Sequence, residues 1–535
     1  MTHRFVSTAI IAGMTGLPVL ASAQPTVRVN LGPGGAQGDG INTEVAASDD
    51  GRHVVFASTS TNLVPGGTSG RQVFAADRDP DGNGVLDEGN TLVTLMSLGI
   101  DGLPGNGSQG GFNGFHGVDL SADGRFVLWS SQSTNLVAGD TSGFGSYDIF
   151  VRDRDPDGNG VFDESNGVTE RVNVGPGGLQ ADHPDSGADQ MGISGDGRFV
   201  VYSSSATNLV PGDSQDVVPN IYLHDRQTGL NNRLDLLTST QNVGSRYPQI
   251  STDGSWVVYA AYADFQNFTN KQIIVVGPAD ANPVVVSKND NGILGNGDSG
   301  TNPNTRGPRI SGDGRFVAFV SLATNLDVTR AGDPSNTFKL FLHDRDSDGN
   351  GVFDEPGGFT TRRVDVGPGG VAADGFFARD PDLADNGRLV FTANASNLVP
   401  GDTTPTTLAD TYLYEPAAGT LEVISRATNG DQANSNCFFP VLTGDGAQAV
   451  FGSQAFNLVP GDTNGRDDIF ARTLPPAACN SAELAPPFGT LDLADITAFV
   501  AGFTGLDPIA DLDHNGLFDL ADIGLFVNAF LAGCP

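Results

Sequence analysis

One short turn recurs along this 535-residue chain and constrains its fold more than any other feature. Ser-x-Asp-Gly-Arg followed by an apolar run stands at Ser121–Arg125, Ser194–Arg198 and Ser311–Arg315, with looser copies at Ser48–Arg52, Ser251–Ser255, Ala384–Arg388 and Thr443–Ala447. The seven aligned glycines are Gly51, Gly124, Gly197, Gly254, Gly314, Gly387 and Gly446, spaced 73, 73, 57, 60, 73 and 59 residues apart. Each 73-residue unit carries an Asp-rich insertion (79–88, 155–164 and 346–355) that the shorter units lack. A fixed period of this size means a repeat architecture, because one unit cannot bury its apolar face alone.

Inside a unit the pattern is β throughout. Asp-Gly suits a tight hairpin, with glycine taking the positive φ that a β-carbon would penalise. The next run, such as Phe126-Val127-Leu128-Trp129 or Phe199-Val200-Val201-Tyr202, is apolar on both faces, as befits a strand covered on both sides. A polar loop follows, Thr-Asn-Leu-Val-Pro-Gly-Asp at 207–213, with Ser replacing Thr at 396–402. A third strand (Asp148-Ile149-Phe150-Val151) and a fourth (Glu170-Arg171-Val172-Asn173-Val174) complete the unit. About four short strands in each of seven units predict an all-β, seven-bladed propeller. The seventh unit stops after its third strand, at Asp468-Ile469-Phe470-Ala471, while Val27 to Gly35 stands alone before the first unit and matches Arg171 to Gly178. The N-terminal segment is therefore expected to supply the missing strand and close the ring.

Composition narrows the function classes. Gly 72 and Pro 31 argue against a helical protein, while 32 Phe and 38% hydrophobic residues supply a core. The net charge is −35, and 55 of the 63 acidic residues are Asp. Such a surface repels phosphate backbones and anionic lipid, which argues against nucleic-acid binding and electrostatic membrane docking. Asp in preference to Glu serves turns and cation loops. Residues 1–23 read as an export signal: His3 and Arg4, an apolar run from Phe5 to Leu20, and Ala21-Ser22-Ala23 as the cleavage site. The expected location is extracellular or cell-envelope associated, with calcium available and disulfides permitted.

The insertions have the ligand spacing of calcium loops. Asp155, Asp157, Asn159 and Asp163 fall at positions 1, 3, 5 and 9, with Val161 offering its carbonyl at position 7 and glycine at position 6. The copies are Asp79, Asp81, Asn83, Val85 and Asp87, and Asp346, Asp348, Asn350, Val352 and Asp354. Position 12 is Asn90, Asn166 or Gly357, so the closing carboxylate falls to Glu88, Glu164 or Glu355. The alternative is a solvated hairpin loop of turn formers. For the Pro-Gly-Asp loops, ordinary Asx turns are the favoured reading over cation sites.

After a linker at 475–478 the pattern changes. Leu493 to Val500 and Leu520 to Val527 are twin amphipathic helix patterns 27 residues apart. Ahead of the second lie Asp511, Asp513, Asn515, Leu517, Asp519 and Asp522, a loop with every liganding position filled. The corresponding first loop, Leu484 to Asp492, lacks ligands at positions 1, 3 and 5, so one calcium is expected there. Cys479 and Cys534 bracket this module, and a disulfide between them would staple a small unit; anchoring through a C-terminal cysteine is the alternative. Cys437 reads as a buried thiol.

The turn, its apolar strand and the Asp-Ile-Phe strand resemble the WD40-like propeller repeats of the TolB type, over residues 24–474. Unit four departs by lacking the Asn-Leu-Val-Pro-Gly-Asp loop. The resemblance implies a protein- or ligand-binding scaffold and implies no chemistry. The twin helices and the ending Ala532-Gly533-Cys534-Pro535 resemble GC-type dockerin modules over residues 479–535, which implies a protein partner at the cell surface.

No catalytic constellation emerges. Gly297-Asp298-Ser299-Gly300 has a serine-protease look without the remaining machinery, and His224 and His343 share a repeat-equivalent third-strand position that reads as structural. The reading is an exported, calcium-binding propeller acting as a non-catalytic scaffold, tethered by its dockerin-like module, with a protein or glycan ligand on its face. The alternatives are a dockerin-borne polysaccharide lyase or glycosidase and a purely structural envelope protein. The aromatic stretch Trp256, Tyr259, Tyr262, Phe265 and Phe268 in unit four is either a carbohydrate-facing surface or, the favoured reading, the core of a divergent blade.

Overall fold

A computed structural model describes residues 25–477 other than 111–116, 142–145, 184–189, 213–217, 236–243, 263–269, 278–282, 301–305, 330–336 and 376. Beyond these it describes 482, 484, 491, 493–505, 510, 512 and 518–532. Seven four-stranded antiparallel sheets form the blades of a propeller. Their inner strands start at Asn42, Val118, Met191, Arg246, Arg309, Ala378 and Cys437. The seventh blade takes its outer strand from the N-terminus: β1 (Thr26–Arg28) pairs with Asp468–Thr473, in the register Thr26 with Arg472 and Arg28 with Phe470. The ring closes as its sequence pattern predicts.

The recurring turn has a local cause. Ser48 Oγ donates to Asp50 Oδ1 (2.6 Å) and accepts the His53 N–H (2.9 Å), while the Arg52 N–H also meets Asp50 Oδ1 (2.9 Å). Gly51 sits at φ 71°, and the turn's arginine forks onto the aspartate ending the third strand, Arg52 onto Asp77 at 2.8 Å. Arg125 with Asp153, Arg198 with Asp225 and Arg315 with Asp344 repeat that fork. Serine, aspartate, glycine and arginine therefore each have a separate task in one turn.

The apolar core lies between blades. Val55, Ala57 and Val73 of blade 1 pack on Val127, Trp129 and Phe150 of blade 2, and like layers fill the other interfaces. The leucine of the polar loop plugs the rim of these layers: Leu63, Leu136, Leu209, Leu326, Leu398 and Leu458 are at most 2% exposed. Truncating one to alanine would cost about 2–5 kcal/mol. In blade 4, Tyr259 is fully buried and Trp256 packs on Phe353, so these two aromatics are core; the side chains of Tyr262, Phe265 and Phe268 lie outside the described residues.

The outer strands are shorter than their sequence pattern. In blade 2 the regular ladder ends at Arg171; Val172 still donates to Ile149 O (2.9 Å), and the Asn173 side chain then takes over, accepting the Ile149 N–H (2.9 Å) and donating to Asp148 (2.8 Å). Asn30 does the same for Ile469 and Asp468. The following Pro-Gly-Gly turns then form separate two-residue hairpins.

Two helices follow the propeller, α1 (Leu493–Gly505) and α2 (Leu520–Ala532). They meet through stacked Phe499 and Phe526, 4.1 Å between centroids. No helix among the described residues is long and apolar enough to cross a membrane.

Candidate functional site

Each Asp-rich loop follows a third strand that ends Asp-Arg-Asp, and the three charges go separate ways. Asp77 takes the turn arginine. Arg78 reaches back, donating to Gly51 O (2.6 Å) and to Gln448 of the preceding blade (2.8 Å), and forks onto Asp87. Asp79 opens the loop, its two oxygens accepting the N–H groups of Asn83 (3.0 Å) and Gly84 (2.9 Å). Asn83 Oδ1 accepts the Val85 N–H (2.8 Å), and its amide nitrogen donates to Asp81 (3.2 Å) and Glu88 (2.6 Å).

The other two loops repeat this geometry. Asp155 receives Asn159 and Gly160, Asn159 receives Val161 and donates to Asp157 and Glu164, and Arg154 holds Asp163 at 2.7 Å. Asp346 receives Asn350 and Gly351, Asn350 receives Val352 and donates to Asp348 and Glu355, and Arg345 holds Asp354 at 2.7 Å. Positions 1, 3 and 5 and the following glutamate are thus drawn together, while the carboxylates of Asp87, Asp163 and Asp354 face arginines. Among the described residues no three acidic, histidine or cysteine side chains converge as a metal-holding group.

The loops also fasten blades to one another. Phe162 packs on His53 of blade 1 (5.1 Å), and Arg154 lies over Phe162 (4.9 Å) within 3.3 Å of the His53 ring nitrogen. Burial and the Arg154 charge push His53 down to about 4. Arg345 lies against both Trp256 of blade 4 (4.1 Å) and Phe353 (4.7 Å), whose rings also meet each other.

In the C-terminal module, Asp522 is fully buried and its oxygens accept the N–H groups of Leu512 (2.8 Å) and Asp519 (3.0 Å). Asp495 in α1 plays the same part for Leu484 (2.8 Å). Asp511, Asp513, Asn515 and Leu517, both Cys479 and Cys534, and the leader lie outside the described residues.

The remaining candidates are held by local contacts. Asp462 and Asp402 of the Pro-Gly-Asp loops are held by Arg28 (2.7 Å) and Gln432 (3.0 Å), and Asp140 of the corresponding Ala-Gly-Asp loop by Arg171 (3.2 Å). Ser299 is buried with its hydroxyl on Ser321 (2.8 Å). His224 bonds Asn231 and His343 bonds Thr361, and burial depresses both imidazoles. Cys437 is a buried free thiol pushed up to about 12 by burial.

A second polar region, absent from the sequence reading, lies on the axis. The inner strands enclose a cavity of about 100 Å³ lined by Glu44, Asp119, Arg306, Arg309 and Asp382 among others, room for a few waters. On the turn side it is rimmed by interblade hydrogen bonds. The N–H of Asp49 donates to Ala122 O (2.9 Å), Ala122 to Gly195 O (3.0 Å), Gly195 to Thr252 O (2.7 Å) and Asp253 to Gly312 O (3.0 Å). Gly312 continues to the Asp385 carboxylate (2.7 Å), Asp385 to Gly444 O (3.0 Å) and Gly444 to Asp49 O (3.2 Å).

Deeper in the cavity the links run through side chains. Asp119 accepts Ile193 N–H (3.0 Å), Gln249 accepts Ile310 N–H (3.3 Å) and Asp382 accepts Leu442 N–H (2.9 Å), each from the next blade. At the far end, four inner strands carry a bulge whose non-glycine residue has positive φ: Glu44 (54°), Tyr247 (59°), Asp380 (54°) and Phe439 (52°). Burial raises Asp119 and Asp49 to about 6, with Asp385 adding repulsion at Asp49. The sequence signal was available: the residue five before the aligned glycine is Asp119, Gln249, Arg309 or Asp382 in four units, polar within a strand that should be apolar.

No protein-family description matches this sequence, and no curated protein does. Among solved structures, TolB from Acinetobacter baumannii is 14% identical, with a TM-score of 0.31, and the match covers 60% of this chain and 54% of that one. Oligogalacturonate lyase from Vibrio parahaemolyticus is 12% identical with a TM-score of 0.45, covering 85% and 97%. The β-propeller domain of the Trilobed protease from Pyrococcus furiosus is 10% identical with a TM-score of 0.39, covering 77% and 91%. The propeller fold of this chain stands on its own seven four-stranded sheets.

Proposed function

We propose that this protein is an exported, calcium-binding propeller that works as a non-catalytic binding scaffold, tethered through its two-helix module to a protein partner at the cell surface. The calcium reading rests on one observation, the threefold repetition of a single loop geometry. In each copy an asparagine amide nitrogen stands between two carboxylates (Asp81 and Glu88 around Asn83), a place where a cation's charge would serve the same end. Calcium takes six to eight hard oxygens. Asp79, Asp81, Asn83, the Val85 carbonyl and Glu88 would supply them, as would their counterparts in the other loops. Asp87, Asp163 and Asp354, already on arginines, would act through a water, as position 9 commonly does.

The tethering reading is supported by apolar side chains that the helices leave outward at matching positions. Leu493 and Leu520 are 74% and 82% exposed, and Val500 and Val527 are 53% and 44% exposed. An apolar face of this kind fits a protein partner. The loop Asp511, Asp513, Asn515, Leu517, Asp519 and Asp522 would order it with one calcium, and a Cys479–Cys534 disulfide would hold its ends.

The test is calcium-linked stability of the full chain. A site saturated at a hundredfold over its Kd adds about 2.7 kcal/mol, so melting should rise with calcium and fall back with chelator. The combined Asp81→Ala, Asp157→Ala and Asp348→Ala variant should lose most of that gain. A melting curve indifferent to calcium would end the calcium reading. Capture of an envelope protein that survives Leu493→Arg with Leu520→Arg would end the tethering reading.

A further inference from the structure

We propose that Arg306 is an axial latch that holds the ring shut where blades 7 and 1 meet. The other links in the axial ring join neighbouring blades or, through Gln190 and Gly307, blades one apart. Arg306 reaches across the axis. Its main chain lies just ahead of the inner strand of blade 5, and its N–H donates to Asp380 of blade 6 (3.0 Å). Its guanidinium leaves that sector altogether: Nη1 donates to Pro440 O of blade 7 (3.1 Å) and Nη2 to Val45 O of blade 1 (3.2 Å). One planar fork thus grips both sides of the seam between the last blade and the first, which the chain bridges by lending its N-terminal strand to the outer edge of blade 7.

The acceptors are prepared for it. Pro440 and Val45 each follow the positive-φ residue of a bulge, Phe439 and Glu44. A bulge breaks the ladder and redirects the backbone, and strain of this kind persists only where its surroundings enforce it. The side chain is 1% exposed and lies against Phe439, 5.8 Å from the ring centre. Burial lowers its pKa to about 10, so it stays charged. Asp382, Asp380 and Glu44 balance that charge through space, which leaves the fork for the two carbonyls. A lysine could not replace it, because a point donor cannot hold two carbonyls in one plane.

The closure it guards is slender. β1 contributes three residues to blade 7, extended by the Val29 N–H on Ile469 O (2.8 Å) and by the Arg28 and Asn30 contacts, all of them at the outer edge of the blade. Arg306 fastens the inner edge of the same junction, where solvent does not reach.

Amide hydrogen exchange of the full chain, read by mass spectrometry, tests this. Arg306→Met should speed exchange about tenfold or more in peptides covering 26–28, 42–47, 437–442 and 468–473, with the blade 2 to blade 4 peptides unchanged. Arg309→Met removes an equal charge from the same cavity without touching either carbonyl, and should leave the junction peptides as they are. Arg306→Lys should give an intermediate rise, and it carries the test if the methionine variant does not fold. An even rise across all seven blades, an equal effect from Arg309→Met, or junction peptides unmoved in the Arg306 variants would overturn the latch.

Discussion

The rim of the turn face and the axis both set carboxylates among arginines, yet they treat them oppositely. At the rim the aspartates that end the third strands, Asp77, Asp153, Asp225 and Asp344, each have an arginine fork of their own. Arg198 holds Asp225 below the usual carboxylate range. Burial alone would push Asp354 up, but His343, Arg345 and Lys288 bring it down to about 2. On the axis, Arg306 and Arg309 serve Glu44, Asp119, Asp380 and Asp382 together. Burial wins there, with Asp119 at about 6 and Asp380 and Asp382 also raised. What decides the sign is how completely water has been removed: Asp365 deep in blade 5 is raised by burial although Arg363 forks onto it.

The largest expected effect breaks the rim side of this contrast. Arg345→Met leaves Asp354 among neighbours chosen for an ion pair, and losing one partner of a buried pair costs about 3–5 kcal/mol. Urea unfolding measures it, and a loss below about 1 kcal/mol would place the rim pairs with ordinary surface contacts. Next comes Asp119→Asn, which keeps an acceptor for the Ile193 N–H and removes the charge. A raised carboxylate contributes stability that is full below its unfolded value near 4 and is lost as pH rises through about 6. The asparagine variant should therefore gain up to about 3 kcal/mol over wild type at pH 7.5, with the gain shrinking toward pH 4. A wild-type curve flat between these limits would sink the axial half of the comparison. The rim works in the other direction, since lowered carboxylates keep their stabilisation above about 4 and lose it as pH falls toward 2. The smallest effect sharpens the rim itself: Arg315 is 32% exposed, so Arg315→Ala should cost less than about 1 kcal/mol in the same unfolding assay.

The loops show the rim's logic from another side. Arg78, Arg154, Arg226 and Arg345 all donate to the carbonyl of a turn glycine. The first, second and fourth take their counter-charge from their own Asp-rich loop, while Arg226, with no such loop, borrows Glu170 from blade 2. The glycine contact stays fixed and the carboxylate is interchangeable, so the ninth loop position answers first to the arginine.

The propeller was legible because its repeat carries out local chemistry. Ser48, Asp50, Gly51 and Arg52 satisfy one another within a single turn, so each blade announces itself in contiguous residues. The missing outer strand of blade 7 and its match at Val27 were visible for the same reason. The twin helices were legible from their 27-residue echo. The axis was not, because each blade gives it one or two residues of a different kind. Asp119, Gln249, Arg309 and Asp382 acquire a common purpose only when seven strands are stood side by side. Arg306 is harder still, since its partners, Pro440 and Val45, act through main-chain oxygens that carry no sequence signature.

The register of β1 has a mechanical consequence. Thr26 lies beside Arg472 and Arg28 beside Phe470, so the N-terminal end of one strand and the C-terminal end of its partner leave the sheet at the same edge. A pull applied between the two ends of the chain would load these rungs one after another, as in a zipper, and the blade would yield at low force. A pull borne by the C-terminal module alone would not pass through this pair at all. A protein held at one end only can keep so short a strand as its clasp.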